Sequence, residues 1–385
     1  MSGRVAYFDN AATTFPKPEC VYEFADSFYR GSGGNIGRGG NALAVAAGAI
    51  ARQAKDNLKG LYECPAKEIV FTSSATDALN RILLGLGLQN GEYVYITPFE
   101  HNAVTRPLNH LVDERHIIID VLPFDRNSLC PDMDAINKLF QTQPPRLVVL
   151  THASNVCGAV VPVKEICAVA KRFGATTVID MSQTAGLMAL ELSSELYDFA
   201  VFAGHKTLYA PFGIGGFFCA RDTRLNPVFF GGNGINSVEQ RMPANIVQMS
   251  EIGSQNTYAI AGLKASTEWL LAEGMACVRS RENDASATLL QLLSDAGAHI
   301  VGEGMQCERI GVVSALFDEY TPDEMEMVLG KLGVAVRSGI QCAPYAHEFL
   351  GTLPAGTVRF SVSAMNCEDD FRILAQALNT IELSF

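Results

Sequence analysis

The chain has 385 residues, 48% of them hydrophobic, and its 29 basic and 41 acidic side chains give a formal net charge of −12. Single hydrophobic cores stop growing near roughly 250–300 residues, so a chain of this length is expected to form two domains. The acidic balance disfavours nucleic acids and anionic membranes as partners, because both present negative phosphates. Small molecules and proteins remain as the expected partners.

No segment of the sequence predicts a signal peptide or a membrane span. The N-terminus lacks an apolar signal region, and no run of about 18 uncharged apolar residues occurs. The ten cysteines are scattered singly, without a C-x-x-C pair or zinc-like spacing. We therefore expect a cytoplasmic protein with reduced thiols and no bound metal.

Apolar residues at steps of three or four predict a helix from Asn41 to about Tyr62. Short apolar runs then alternate with helical patterns, which favours a mostly parallel sheet covered by helices. Runs that are apolar throughout, such as Leu147 to Leu150, are typical of strands buried on both faces. The predicted strands are 68–72, 93–97, 117–122, 147–151, 177–180, 199–203 and 214–219, with helices at 75–88, after 101 and from 162.

Beyond about Tyr258 the pattern changes. The predicted helices there are 262–271, 285–296 and two that begin at 322 and 368, with strands at 310–317, 334–337 and 358–362. The preceding segment, Gly231 to Gln255, is rich in Gly, Asn and Ser, which predicts an ordered loop. We expect a large α/β domain at 15–258 and a smaller α+β domain made of 1–14 and 259–385.

A lysine and a carboxylate follow two of the predicted strands. Lys206, in Phe202-Ala203-Gly204-His205-Lys206, suits a Schiff base with a phosphorylated aldehyde, because partial burial favours its neutral, nucleophilic form. Asp180 ends another strand and could keep a pyridine nitrogen protonated. Ligands bind at the carboxyl ends of parallel strands, although a lysine such as Lys206, considered alone, is more often a surface loop lysine.

Further polar residues also follow predicted strands. Ala75 and Thr76 open a helix directly after a strand, and the N–H groups of a helix N-terminus can bind phosphate. His101 opens another helix and could stack on a flat cofactor. Asn155 and Gln183 are candidates to hydrogen-bond a cofactor oxygen. Considered singly, each of these residues could be a cap, a turn or a structural residue.

The order of these residues resembles the class V aminotransferase family of fold type I, across nearly the whole chain. The segment Tyr7-Phe8-Asp9-Asn10-Ala11-Ala12-Thr13-Thr14 is similar to the opening motif of cysteine desulfurases and selenocysteine lyases. The resemblance implies pyridoxal 5′-phosphate bound to Lys206 as a Schiff base, Asp180 at the pyridine nitrogen and His101 stacked on the ring. It further implies Asn155 and Gln183 beside the phenolic oxygen, and phosphate contacts from Ala75, Thr76 and His205.

The segment Val336 to Pro344 resembles the Arg-x-Gly-x-x-Cys motif that carries the persulfide cysteine of desulfurases. This resemblance implies that the Cys342 thiolate attacks the sulfur of cofactor-bound L-cysteine, leaving L-alanine and an enzyme persulfide. Without the motif, Cys342 would be read as one more buried thiol. The cysteine loop is short, so we expect transfer of sulfur to a docked acceptor protein.

Several other positions match family segments. Arg359 stands where the family has an arginine that binds the substrate carboxylate, because a planar guanidinium can donate two parallel hydrogen bonds to a carboxylate. Arg337 and Asn35, the latter followed by Arg38, are also expected near the substrate. Ser254 replaces a threonine that reaches the neighbouring subunit's phosphate in related dimers, so the resemblance implies a homodimer.

The sequence also departs from the family pattern. Gly37 and Asn41 stand where many desulfurases carry histidines, and Ala203 stands where a serine is common. These departures leave the choice of substrate open. The alternatives are a selenocysteine lyase acting on L-selenocysteine, another aminotransferase or β-lyase of the superfamily, and a non-catalytic sulfur carrier or scaffold.

Overall fold

The computed structural model describes residues 4–36, 39–234 and 238–382. Its strands are β1 (Ala6–Tyr7), β2 (Glu68–Thr72), β3 (Tyr93–Ile96), β4 (Ile118–Val121), β5 (Pro145–Thr151), β6 (Thr176–Asp180), β7 (Phe199–Ala203), β8 (Gly215–Cys219), β9 (His299–Ile300), β10 (Val312–Leu316), β11 (Val334–Ala335) and β12 (Val358–Ser361). Its helices are α1 (Glu19–Ser32), α2 (Ala42–Leu61), α3 (Ala75–Gly85), α4 (Asn102–Arg115), α5 (Met133–Thr142), α6 (Val163–Arg172), α7 (Ile246–Ser250), α8 (Thr257–Glu273), α9 (Met275–Asp295), α10 (Pro322–Lys331), α11 (Pro344–Leu350) and α12 (Glu368–Glu382).

Seven strands form the main sheet in the order β2-β8-β7-β6-β5-β3-β4. The strands β7, β6, β5, β3 and β4 run parallel, whereas β8 is antiparallel to both of its neighbours. Helices α4, α5 and α6 connect successive parallel strands, as parallel pairing requires. The predicted mostly parallel α/β sheet is confirmed.

The central strands are buried because alternate side chains enter two different hydrophobic cores. Val149 and Val178 belong to the core on one face of the sheet, while their neighbours Val148 and Ile179 belong to the core on the other face. This two-sided burial is the reason for the continuous apolar runs in the sequence.

The C-terminal part forms a third core with the N-terminus. β12, β10 and β9 make an antiparallel sheet, and β1 pairs with β11. Phe8 is fully buried in this core and contacts Phe371 edge-on, with the ring centroids 5.5 Å apart. The proposed domain division at 258 stays a prediction; α8, which begins at Thr257, packs against α1 and α2.

The structure corrects several expectations about individual elements. The segment from Gly231 to Gln255 is not entirely loop, because it contains α7, whose N-terminus is capped by the Asn245 side chain. A helix of five residues is too short to show a periodic pattern. The helix predicted at 285–296 begins much earlier, at Met275. Helices α1, α5 and α11 were not predicted. Within the described ranges, no helix is long and apolar enough to cross a membrane.

We expect Phe8→Ala to lower the free energy of unfolding by about 3–5 kcal/mol, because it leaves a cavity where an aromatic ring fills a core. Thermal and urea unfolding would measure the loss. Val5→Ala, in the same segment but 58% exposed, is the matched control and should change stability by less than about 0.5 kcal/mol. Equal effects of the two substitutions would show that the N-terminal segment does not complete this core.

Candidate active site

A cleft of about 850 Å³ lies at the C-terminal ends of β5, β6 and β7, beside the N-terminal ends of α3 and α4. This is where ligands bind in open parallel sheets. The cleft brings together ten of the residues that the sequence singled out: Ala75, Thr76, His101, Asn155, Asp180, Gln183, His205, Lys206, Arg337 and Arg359.

Asp180 ends β6, and its carboxylate is oriented by the turn that follows. Oδ1 accepts hydrogen bonds from the N–H group of Ser182, at 2.9 Å, and from the Ser182 hydroxyl. No described residue donates to Oδ2. Asp180 is only 7% exposed and lines the cleft, so its second oxygen is available there as an acceptor for a ligand.

Lys206 lies three residues beyond the end of β7 and lines the same cleft. Burial lowers the pKa of its amine to about 8, an effect that Asp180 opposes and Arg359 reinforces. Desolvation disfavours the charged amine, so a substantial fraction is neutral near physiological pH. A neutral amine in a cleft is the form that attacks a carbonyl carbon.

His101 is the N-cap residue of α4, and this fixes its ring nitrogens. Nδ1 accepts a hydrogen bond from the N–H group of Ala103 at 3.0 Å. Burial, with a further contribution from Lys206, lowers the pKa of the imidazole to about 4. The ring is therefore neutral, and because Nδ1 accepts, the proton is on Nε2.

The N-terminal turn of α3 provides a site for an anion. Ser74 caps the helix by accepting from the Asp77 N–H group, and the first N–H groups of a helix have no partner within it. β8 can approach this turn because residue 215 is glycine: a Cβ there would lie only 2.6 Å from the Ser74 carbonyl carbon. Gly215 thus allows β8 to pack directly against the first turn of α3.

His205 adds a buried ring nitrogen to the same cleft. Its Nδ1 atom is buried and has no hydrogen-bond partner among the described residues. Burial lowers the pKa of this imidazole to about 3, helped by Lys206 and Lys17. A buried nitrogen without a partner is costly, and an anionic oxygen at the α3 turn would satisfy it. These residues therefore fit a phosphate group.

Asn155 and Gln183 each use part of their amide to hold neighbouring backbone. Asn155 Nδ2 donates to the Gln341 carbonyl at 2.8 Å, and Gln183 Nε2 donates to the Ala11 carbonyl at 3.0 Å. Each NH₂ group keeps a second hydrogen for a ligand. Their expected place beside a phenolic oxygen stays a prediction.

Arg359 is held by two partners and keeps N–H donors for a ligand. Nη2 pairs with Asp9 Oδ1 at 2.6 Å and Nη1 donates to the Asn155 carbonyl at 3.0 Å. Its Nε is buried and has no partner among the described residues. The opening motif of the sequence contains Asp9, but sequence reasoning gave it no role; the structure shows that it neutralises this buried guanidinium.

Cys342 lies at the edge of the cleft and not among the residues that line it. Its Sγ atom is 3.8 Å from Nη2 of Arg337. The thiol faces an adjoining groove that also contains Asn102 and Arg106, and His101 borders both spaces. The Cys342 carbonyl accepts from the Asn102 N–H group at 2.7 Å. This bond ties the cysteine loop to the N-terminus of α4.

Five positions that the sequence singled out lie away from the cleft or outside the described ranges. Ser254 and Asn35 are exposed and do not line it, so their expected roles stay predictions. Gly37 and Arg38 lie outside the described residues. Asn41 caps α2 by accepting from the Ala44 N–H group at 3.0 Å.

The structure adds two buried titratable groups that sequence reasoning missed. Glu100 is fully buried, its Oε1 accepts from Thr97 and from the Thr151 N–H group, and burial raises its pKa to about 8. Lys17 donates to the carbonyls of Thr14 and His205, and burial lowers its pKa to about 8. The position of Glu100 directly before His101 was the one available signal.

The family model for class-V aminotransferases matches residues 6–374. The chain belongs to this family. It is 30% identical to a probable cysteine desulfurase of Aeropyrum pernix, over 98% of this chain and 94% of the relative. It is 30% identical to a probable cysteine desulfurase of Xylella fastidiosa, over 97% of this chain and 89% of the relative.

Solved structures agree with the sequence relatives. The apo structure of a cysteine desulfurase from Thermococcus onnurineus superposes with a TM-score of 0.90 at 25% identity, covering 99% of this chain and 95% of that one. A cysteine desulfurase from Escherichia coli gives a TM-score of 0.84 at 25% identity, covering 98% of this chain and 95% of that one. The fold is that of the type I enzymes of this family.

We expect nitrogen-15 spectra of histidine-labelled protein to show His101 as the neutral Nε2–H tautomer from pH 5.5 to 8, because its pKa lies near 4. His101→Gln would assign the signal. The exposed His299, which pairs with Asp318, serves as the control ring in the same spectra. A midpoint for His101 above pH 6 would show that burial does not control its protonation.

Proposed function

We propose that this protein is a pyridoxal-phosphate-dependent cysteine desulfurase that converts L-cysteine to L-alanine and takes up the sulfur as a persulfide on Cys342. The observation that carries the proposal is the Cys342 thiol beside Arg337, at the edge of a cleft that contains both Lys206 and Asp180. A transaminase needs the last two residues but has no use for a thiol at that edge. The names of the relatives support the same activity.

The donors in the cleft fit pyridoxal phosphate. Lys206 would hold it covalently, Asp180 Oδ2 would accept from its pyridine nitrogen, and the α3 turn with His205 would take its phosphate. When bound, this group supplies an electron sink that labilises bonds of the substrate near its amino-bearing carbon. The neutral His101 ring borders the same space, on the side where Cys342 lies.

Several side chains of this chain would act directly on the substrate. Arg359 keeps Nε free to bind the substrate carboxylate, while Asp9 holds the guanidinium in place. Lys206, with a pKa near 8, can take a proton from the substrate and return it. The Cys342 thiolate attacks the substrate sulfur, the carbon–sulfur bond breaks, and the carbon takes a proton. The balance is one L-cysteine converted to one L-alanine and one Cys342 persulfide.

The protein partners belong to the proposal as well. The loop between β11 and α11 that carries Cys342 is short, which limits the travel of a persulfide and supports transfer to a docked acceptor protein. We also propose a homodimer, in which Ser254 would reach the phosphate of a neighbouring subunit's site, while Asn35 would bind substrate. The adjacent Phe229 and Phe230 are 51% and 75% accessible, and this exposed apolar pair supports an interface there. The cytoplasmic location stays a prediction from the sequence.

We expect Cys342→Ala to abolish formation of both alanine and sulfide from L-cysteine, because no other thiol lies at the edge of the cleft among the described residues. Cys20→Ala is the matched control, since Cys20 is exposed on α1. The visible spectrum of the loaded protein should still change on addition of cysteine. Both products would be quantified in the presence of a reductant.

The alternatives give different outcomes in this assay. A Cys342→Ala protein that still makes alanine and releases selenium from L-selenocysteine, but not sulfur from L-cysteine, would be a selenocysteine lyase. A protein that exchanges amino groups regardless of Cys342 would be an aminotransferase. A protein that never takes up pyridoxal phosphate would contradict the proposal.

We expect uptake of pyridoxal phosphate by the apoprotein to accelerate from pH 7 to pH 9 with a midpoint near pH 8, because Lys206 must be neutral to react and burial lowers its pKa to about 8. Stopped-flow absorbance would follow the reaction. Lys206→Ala should show no lasting visible band. A midpoint near the ordinary lysine value of about 10.4 would mean that the cleft does not desolvate this amine.

A further inference from the structure

The backbone around Cys342 has an uncommon conformation. Gln341 and Cys342 both adopt left-handed φ angles, of 44° and 58°. Residues other than glycine rarely adopt this region, and adjacent pairs persist only where surrounding contacts impose it. The position of the Cys342 thiol therefore depends on the contacts that keep these two residues in the left-handed conformation.

Gln341 is held at three points by buried groups. Its carbonyl accepts from Asn155 Nδ2 at 2.8 Å, and its Nε2 donates to the Thr357 carbonyl at 3.1 Å. Its Oε1 lies 2.9 Å from Nε2 of His347. Gln341 is 3% exposed and lines the cleft, so the side chain is fixed on one side and faces the site on the other.

His347, on α11, forms the third of these contacts, and the other contacts of Gln341 determine which partner donates the hydrogen bond. Gln341 uses its nitrogen as donor, so its Oε1 must accept, and His347 Nε2 must carry the proton. Nδ1 then accepts from the Thr352 hydroxyl at 2.7 Å. Burial lowers the pKa of His347 to about 4, which agrees with this neutral tautomer. The imidazole is fully buried and touches no reacting group.

We propose that His347 is a positioning residue which, through Gln341, holds Cys342 in its left-handed conformation and so fixes the thiol beside Arg337. The inference rests on the proposed role of Cys342 in sulfur uptake. Cys342 is fixed on its other side by the bond from Asn102 to its carbonyl. His347 therefore determines how the Cys342 sulfur is presented to the substrate, although the imidazole contacts neither substrate nor cofactor.

The test compares two substitutions of similar size. His347→Leu removes the donor to Gln341, whereas the amide nitrogen of His347→Gln can replace Nε2. We expect His347→Leu to lower kcat for alanine formation by about 10- to 100-fold, with the KM for L-cysteine and the visible band of the loaded protein unchanged. His347→Gln should retain kcat within about threefold of the wild type.

A second readout does not depend on activity. Alkylation of Cys342 by iodoacetamide in the apoprotein, followed by mass spectrometry, should accelerate in His347→Leu and not in His347→Gln. His152→Leu is the matched control: His152 is also buried, pairs through Nδ1 with a threonine hydroxyl at 2.9 Å, and has a pKa lowered to about 4. Among the described residues, no hydrogen bond joins His152 to the cysteine loop, so alkylation should stay at the wild-type rate.

The outcomes separate this inference from the proposed function. If His347→Leu alters neither kcat nor alkylation while Cys342→Ala abolishes activity, the function stands and the positioning role is wrong. If Cys342→Ala is fully active, the proposed function fails first. Should His347→Leu not fold, Thr352→Val decides: faster alkylation of Cys342 supports the inference, and an unchanged rate overturns it.

Discussion

The site depends on the parallel register of the central strands. Thr151 of β5 pairs with Asp180 of β6, and Asp180 pairs with Val201 of β7, so the three strands end side by side. Residues that follow these ends, such as Asn155 and Lys206, therefore lie in one cleft although they are far apart in the chain. A shift of one residue in this register would turn Asp180 to the opposite face of the sheet.

Burial then sets the protonation of the groups that the register brings together. It lowers the pKa values of Lys206, His101 and His205, and it raises that of Glu100. The neutral form is favoured in each case, because removing water penalises charge. The buried guanidinium of Arg359 stays charged because Asp9 pairs with it. Lysine nucleophilicity and histidine tautomers in this cleft thus result from desolvation as well as from residue identity.

Much of this arrangement could be predicted from the sequence. Strands buried on both faces appear as apolar runs, and the residues after them, Asp180 and Lys206, are where a parallel sheet places its ligands. The short helix α7 could not be predicted, because five residues show no periodicity. The pairing of Asp9 with Arg359 spans almost the whole chain, and a sequence pattern gives no sign of such a contact. Ser254 is exposed in the single chain, so its predicted contact with a phosphate depends on the proposed neighbouring subunit.

The conformation of the cysteine loop depends on hydrogen bonds that only the folded structure shows. Two adjacent left-handed residues cost about 1–3 kcal/mol each. A buried hydrogen bond contributes about 0.5–1.5 kcal/mol, so the bonds from Asn155, Asn102 and His347, and the one to Thr357, together offset a cost of that size. Removing one of them shifts the balance toward ordinary backbone angles, which would move the thiol away from Arg337. A reactive sulfur at the edge of the cleft is thus held by groups that take no part in the chemistry.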